Sequence, residues 1–280
     1  MFQHFLITRF NLRKSDWKTN KNNVSVLTDE WHKNRFKLFT DFCFPSVVSQ
    51  TNTNFKWLVF FDTTTPETYK KIVTELVNKL PNFTPIYVDG MDAFLPEIKK
   101  QVATNTSRYI ITSRLDNDDC IGKNYVAEIQ QRFQKQTYEA IDFVDGYTLQ
   151  IAPDVRIGKK IHLFNPFISL IEKNEDPKTV WSSSHTAWKK EKKIQQIRNV
   201  RIWSSIIHQE NKVNEFTGFG NVQLDSFFDD FILPKTVKNK ITNAIIPVSK
   251  WKMMHFKNAT REHWNLQFKT LKKALGLYNS

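Results

Sequence analysis

Three carboxylates crowd into the run Arg114-Leu115-Asp116-Asn117-Asp118-Asp119. Carboxylates this close repel one another unless a cation sits among them. Mg²⁺ and Mn²⁺ fit the donor type, since they take oxygen ligands, often one or two carboxylates plus substrate phosphates. A calcium EF-hand loop does not fit: counted from Asp116, the fifth position is Cys120 and the sixth is Ile121, where glycine is required. Zinc does not fit either, because Cys120 has no neighbouring His or Cys. The plain alternative is a solvated Asp-rich turn that caps the next helix.

The elements around this run decide between the two. Residues 4–10, 56–61, 84–88 and 108–113 are short apolar runs, read as strands, the second buried on both faces. Between them, residues 29–50 carry helical spacing in Trp31, Phe39, Phe42 and Val47, with Pro45 bending the helix. A second helix starts at Pro66, with Thr65 as its N-cap, and stops at Pro81. A third covers 95–104. Strands alternating with helices of this length give an α/β fold with a mostly parallel central sheet flanked by helices. In such sheets ligands bind at the carboxyl ends of the strands, which is where the acidic run falls.

The second half is less regular. Residues 125–135 are read as a helix, 140–151 and 160–164 as strands joined through Pro153-Asp154, and 172–187 as a polar loop. Residues 188–201 form a basic helix candidate, 216–220 a glycine-containing loop, and 225–233 a short helix. Residues 260–277 form an amphipathic helix whose stripe of Trp264, Phe268, Leu271 and Leu275 is expected to pack on the core. With no repeat and no clear linker, one domain spanning 1–280 is the simplest organisation.

Composition removes several classes. The 280 residues include 23 Phe and 8 Trp and are 40% hydrophobic, which is not the make-up of a disordered chain. No stretch reaches the ~20 apolar residues that span a bilayer. The start lacks a basic lead-in and a cleavage site, so a cytoplasmic protein with Cys43 and Cys120 reduced is expected. The net charge of +13 attracts phosphate, whether on nucleic acid, lipid or nucleotide. With 7 Gly and no G-x-x-x-x-G-K-S/T, G-x-G-x-x-G, H-E-x-x-H or G-x-S-x-G, the common phosphate-cradle, zinc-protease and serine-hydrolase motifs are absent.

An aspartate cluster at the end of such a sheet resembles the D-x-D motif of GT-A glycosyltransferases. Further stretches resemble the rhamnosyltransferase family of bacterial cell-surface polysaccharide biosynthesis. They are Ile7-Thr8-Arg9-Phe10-Asn11, Phe44-Pro45-Ser46 leading to Gln50, Phe55-Lys56-Trp57-Leu58-Val59 with Asp62, and Ser113 through Asp119. The resemblance covers most of the N-terminal half and thins beyond residue 150. It implies a GT-A-like fold, with residues 1–125 as the nucleotide-sugar half and 126–280 as the acceptor half. It also implies Mn²⁺ or Mg²⁺ as cofactor, held by Asp116 and Asp118 with Asp119 in support. Arg9 would meet the nucleotide or its phosphates, Arg114 would orient the carboxylates or reach the donor, Asp116 would also face the donor, and Asp62 would face its base. GT-A enzymes often add a late histidine to the metal, and His208, at the end of the apolar run 202–207, is the choice. A base must deprotonate the acceptor hydroxyl. His185 is preferred to Glu172, Asp225, Asp229 and Asp230.

The implied partners are a nucleoside-diphosphate-sugar donor and a glycan or lipid-linked glycan acceptor. Peripheral contact with the inner membrane face would come through Lys189, Lys190, Lys192 and Lys193. The competing readings are a basic nucleic-acid-binding protein or metal nuclease, and a membrane-surface adaptor. The first lacks any helix-turn-helix, zinc-finger or RRM signature, and the second leaves the carboxylates unexplained.

Overall fold

β1 (Phe2–Arg9) is buried almost throughout, so both its faces must be covered. It pairs in parallel with β2 (Lys56–Asp62) on one side and β4 (Tyr109–Arg114) on the other, and β2 pairs in parallel with β3 (Phe83–Val88). This computed structural model describes residues 1–14, 19, 25–211 and 215–278, with the side chains of His185 and Thr186 outside the described set.

Alternation of side chains sorts the helices onto the two faces. Leu6, Trp57, Val59 and Phe61 point to the face covered by α1 (Asp29–Leu38), α2 (Phe44–Val48), α3 (Glu67–Lys79) and α5 (Tyr125–Gln130). Phe5, Ile7, Leu58 and Phe60 point to the other face, onto Phe94, Ile98 and Val102 of α4 (Phe94–Ala103). The expected α/β architecture, a mostly parallel sheet flanked by helices, is therefore present.

The sheet continues beyond β4 through a strand absent from the sequence reading. β9 (Ser169–Lys173) lies antiparallel between β4 and β6 (Tyr138–Phe143), and β10 (Ile194–Ile197) closes the edge, giving the order β10-β6-β9-β4-β1-β2-β3. A second sheet has the order β5-β11-β7-β8, built from β5 (Cys120–Ile121), β7 (Asp145–Gln150), β8 (Arg156–Ile161) and β11 (Trp203–Ile207). The expected strand over 140–151 is thus two strands, split at Val144 and placed in different sheets. β7 and β8 form the expected hairpin around Pro153-Asp154.

Several local expectations are corrected. Residues 188–201 are not a helix: a short 3₁₀ turn (His185–Lys190) leads into β10. Lys189 and Lys193 would stand one helical turn apart and repel, while Ile194 and Ile197 favour the strand. Thr65 does not cap α3, which begins after Pro66. Its hydroxyl donates to the Asp62 carbonyl at 2.6 Å and closes the preceding turn. α5 stops at Gln130, short of the expected helix over 125–135. The helix through Pro45 widens into a π turn (Phe39–Cys43), with Phe44 N–H reaching the Phe39 carbonyl five residues back. That wide turn accommodates a proline that has no N–H to give. α6 (Leu224–Asp230), α7 (Lys235–Ala244) and α8 (Lys252–Ala274) complete the chain, α8 starting well before the expected 260. Among the described residues no helix is long and apolar enough to cross a membrane. Cys43 and Cys120 are free and buried.

Candidate active site

The acidic loop lies where β1 and β4 end together, with Ile7 opposite Arg114 in the parallel register. Leu115 N–H donates to the Ile7 carbonyl at 3.1 Å, so the chain leaves β4 still attached to β1. Asn117 then clamps the loop: its Nδ2 donates to the carbonyls of Phe10 (2.6 Å) and Arg9 (3.2 Å). Asp119 is buried and its Oδ1 accepts from Ile206 N–H at 2.9 Å. This bond ties the loop to β11 and to the residue that follows it, His208. Burial raises the Asp119 pKa well above the ordinary carboxylate value, and the charges of Asp118 and Asp116 raise it further.

Asp118 is the junction of the site. Its Oδ2 accepts from Arg35 Nη1 at 2.7 Å and contacts His208 Nε2 at 2.9 Å. Burial works to raise its pKa, but the charges and hydrogen bonds of Arg35 and His208 outweigh it and hold the carboxyl well below the usual range. His208 Nδ1 stands 3.2 Å from Glu210 N–H, and its Nε2 also stands 3.0 Å from Asn211 Nδ2. Arg35 also donates to Asn117 Oδ1 at 3.2 Å. Asp116 is the more exposed carboxylate and pairs with Arg114 at 3.4 Å.

Arg9 and Arg114 share an aromatic neighbour. The Arg114 guanidinium carbon stands 4.0 Å from the centroid of the Trp181 ring, and that of Arg9 stands 5.6 Å from it. Burial lowers the Arg9 pKa, with Asp116 pulling the other way. Arg114 Nε, Arg35 Nε and Trp181 Nε1 are buried with no hydrogen-bond partner among the described residues. Buried unpartnered donors of this kind suit an anion that brings oxygens with it.

The structure thus brings together Arg9, Arg114, Asp116, Asp118 and His208. Asp62 is placed otherwise. Its carboxylate accepts from Arg13 N–H, Arg13 Nε, Thr64 N–H and Thr64 Oγ1 at 2.6–3.0 Å, so it locks the turn after β2. His185 opens the 3₁₀ turn, and its side chain lies outside the described residues. Glu172 is engaged by Lys178 and Thr179 N–H at 2.9 and 2.8 Å, as an anchor of its own loop. Sequence reasoning missed Arg35, Asn117 and Trp181. A tryptophan in the otherwise polar stretch 172–187 was a signal for the last. Nothing local marked Arg35, which arrives from 83 residues away.

A metal can be tested against these groups. Among the described residues no cluster of three or more His, Cys, Asp or Glu stands ready to hold one. Mg²⁺ and Mn²⁺ ask for less, one or two protein carboxylates with the rest from phosphate and water. Asp118 and His208 already converge, and Asp116 shares the loop of Asp118. The donor set fits.

The class follows from comparison of the sequence with known families: the family described as "Putative rhamnosyl transferase" matches residues 3–218, and these are glycosyltransferases. The chain belongs to that family. No curated protein matches. Among solved structures, Staphylococcus aureus TarS 1–349 in complex with UDP is similar at 12% identity and a TM-score of 0.44, over 73% of this chain and 60% of that one. The mannosyltransferase PcManGT from Pyrobaculum calidifontis, in complex with GDP-Man and Mn²⁺, is similar at 8% identity and 0.44, over 75% of this chain and 58% of that one. A putative nucleotide-diphospho-sugar transferase from Desulfovibrio desulfuricans G20 is similar at 9% identity and 0.38, over 75% and 82%. The chain spans less than two thirds of the first two.

Proposed function

We propose that the protein transfers a sugar, rhamnose by the family's description, from a nucleoside-diphosphate donor to a hydroxyl of a cell-surface polysaccharide or glycolipid. The carrying observation is the pair Arg9 and Arg114 on Trp181, with Arg114 also paired to Asp116 at the carboxyl edge of the sheet. Guanidinium forks match diphosphate oxygens, and a buried setting strengthens the attraction. In this reading residues 1–125 hold the donor and 126–280 the acceptor.

Asp116, Asp118 and His208 would hold Mn²⁺ or Mg²⁺, which supplies Lewis-acid stabilisation to the departing diphosphate. Arg9 and Arg114 bind the phosphates and offset their charge. Arg35 fixes Asp118, and Asp62 with Arg13 fixes the turn behind the donor. A base takes the acceptor's hydroxyl proton as its oxygen bonds to the anomeric carbon and the nucleoside diphosphate leaves. His185 is assigned that role. The acceptor lies at the inner face of the membrane, where +13 draws the protein to anionic lipid.

Thermal melting with UDP, GDP and dTDP, each with and without Mn²⁺, tests this. A ligand at ~100-fold its Kd adds about 2.7 kcal/mol. A Mn²⁺-dependent rise with one diphosphate is expected and names the base. A rise with oligonucleotides alone would move the carboxylates to a nuclease.

A further inference from the structure

α8 is amphipathic and mounted with its polar side inward. Asn258 and Glu262 are each only 6% exposed. Asn258 Nδ2 donates to the Gly218 carbonyl at 3.0 Å, and Glu262 pairs with Lys160 at 3.0 Å. On the same side, His255 Nδ1 accepts from Gly220 N–H at 2.8 Å, and Lys273 Nζ donates to the Glu191 carbonyl at 2.6 Å. These positions recur at intervals of three, four and eleven, so they form one stripe. The opposite stripe is Met253, Phe256, Trp264, Phe268, Leu271 and Leu275, and all of it is exposed, Phe256 at 73% and Trp264 at 68%. The expectation that the Trp264 stripe packs on the core is overturned. Polar anchors hold the helix to the body and leave the apolar face outward, a contiguous patch of a kind that marks an interaction surface.

We propose that this face of α8 lies in the interface of an anionic lipid bilayer. The rim is cationic: Lys252, Lys257 and Arg261 are exposed beside the stripe, and the helix's single acid, Glu262, is buried in its ion pair. A second copy of the same face would set these cations against one another, whereas anionic headgroups neutralise them. The face is rich in Trp, Phe and Leu, the residues that sit at the headgroup boundary. Its 23 residues extend about 34 Å, and with a polar inner side the helix lies on the membrane rather than spanning it. The basic segment 189–193 is bonded to the inner side of the same helix through Lys273.

The placement serves the acceptor side of the proposed site. A cavity of about 810 Å³ runs along the first turns of α8, lined by Phe216, Met254 and Phe256 among others. It shares Phe216 and Met254 with a cavity of about 350 Å³ that reaches His208. A membrane held against α8 therefore stands beside a cavity whose lining continues to that of a second one at His208. This consequence rests on the glycosyl-transfer reading; the membrane contact itself does not.

Flotation with vesicles of phosphatidylcholine and phosphatidylglycerol in equal parts tests the contact, with pure phosphatidylcholine as control. The whole chain is expected to float with the mixed vesicles and to release as salt is raised. The triple variant Trp264→Ser, Phe268→Ser, Leu271→Ser removes exposed side chains, so its melting temperature stays unchanged while vesicle affinity falls at least about tenfold. Lys252→Gln with Lys257→Gln and Arg261→Gln removes the preference for the anionic vesicles. Wild-type protein that stays unbound, or a triple variant that floats as wild type does, overturns the proposal. So does sedimentation showing a lipid-free dimer that the triple variant converts to monomer. Absence of a Mn²⁺-dependent melting shift with any nucleoside diphosphate would sink the transferase reading and leave the flotation result standing.

Discussion

Arg35 on α1 and Asp118 after β4 form a nearly buried ion pair, 2.7 Å between Nη1 and Oδ2, that joins a helix on one face of the sheet to the loop at its edge. Both side chains are largely shielded, and His208 shares the same carboxylate oxygen. Removing one partner of such a pair strands the other charge, at a cost of about 3–5 kcal/mol. Asp118→Ala is therefore expected to lose sugar transfer and to lower the denaturant midpoint as well. Arg35→Gln, which spares the carboxylate, should retain Mn²⁺ affinity while losing stability. Isothermal titration with Mn²⁺ beside urea unfolding separates the two. A fully stable Asp118→Ala protein would show that the pair does not hold the loop.

Trp181 carries Arg114 on its ring face and packs edge-on against Phe94 of α4 at 5.0 Å. A desolvated cation–π contact contributes about 1–2 kcal/mol, and it also sets the direction of the guanidinium. Trp181→Ala should raise KM for the sugar nucleotide about tenfold with a smaller change in kcat. Arg114→Lys should do the same, because an ammonium cannot reproduce the fork. Unchanged affinity for the nucleoside diphosphate in both variants would remove this pair from the donor site.

How much of this was legible depended on where the signal lay. β1, β2 and β4 are apolar runs covered on both faces, and their type shows in composition alone. β9 was hidden because Ser169, Glu172 and Lys173 interrupt its hydrophobicity, and its pairing with β4 and β6 is a tertiary fact. Asp118 and His208 were legible as a strand-end carboxylate and a histidine closing an apolar run. Arg35 was not, since a charged residue on a helix normally reads as solvent-facing. The period of α8 was legible and its orientation was not. A stripe says which residues share a face, and distant partners such as Lys160, Gly218, Gly220 and Glu191 decide which face turns inward.

Gly146 of β7 gives a sharp stability test. A Cβ there would stand 2.3 Å from the Trp203 ring, which is 1% exposed and donates from Nε1 to the Phe143 carbonyl at 2.6 Å. The ring is held by that bond and by stacking on Phe167 at 4.9 Å, so it has nowhere to retreat. Overpacking of this kind costs about 1–3 kcal/mol. Gly146→Ala should lower the urea midpoint accordingly without changing the m-value. A midpoint equal to wild type would mean that β7 and β11 slide apart freely.

Asp142 should give the fold a pH dependence of unusual sign. It is fully buried in β6, and burial raises its pKa to about 7, against hydrogen bonds from Phe164 N–H (2.8 Å) and Asn165 Nδ2 (2.6 Å). In the unfolded chain it titrates near 3.8. Between those values the folded protein binds more proton than the unfolded one, so this group's contribution to stability falls as pH rises from about 4 to about 7 and is level above. The span of roughly three units corresponds to at most about 4 kcal/mol. Asp142→Asn abolishes the titration. It also sets an amide N–H against one of the two donors, costing about 1 kcal/mol at every pH. Urea midpoints at pH 5 and pH 8 should thus differ more in wild type than in the variant, with wild type losing stability towards pH 8 relative to Asp142→Asn. Parallel profiles for the two proteins would show that Asp142 is ionised throughout, with Lys269 and Lys273 of α8 as its compensating charges.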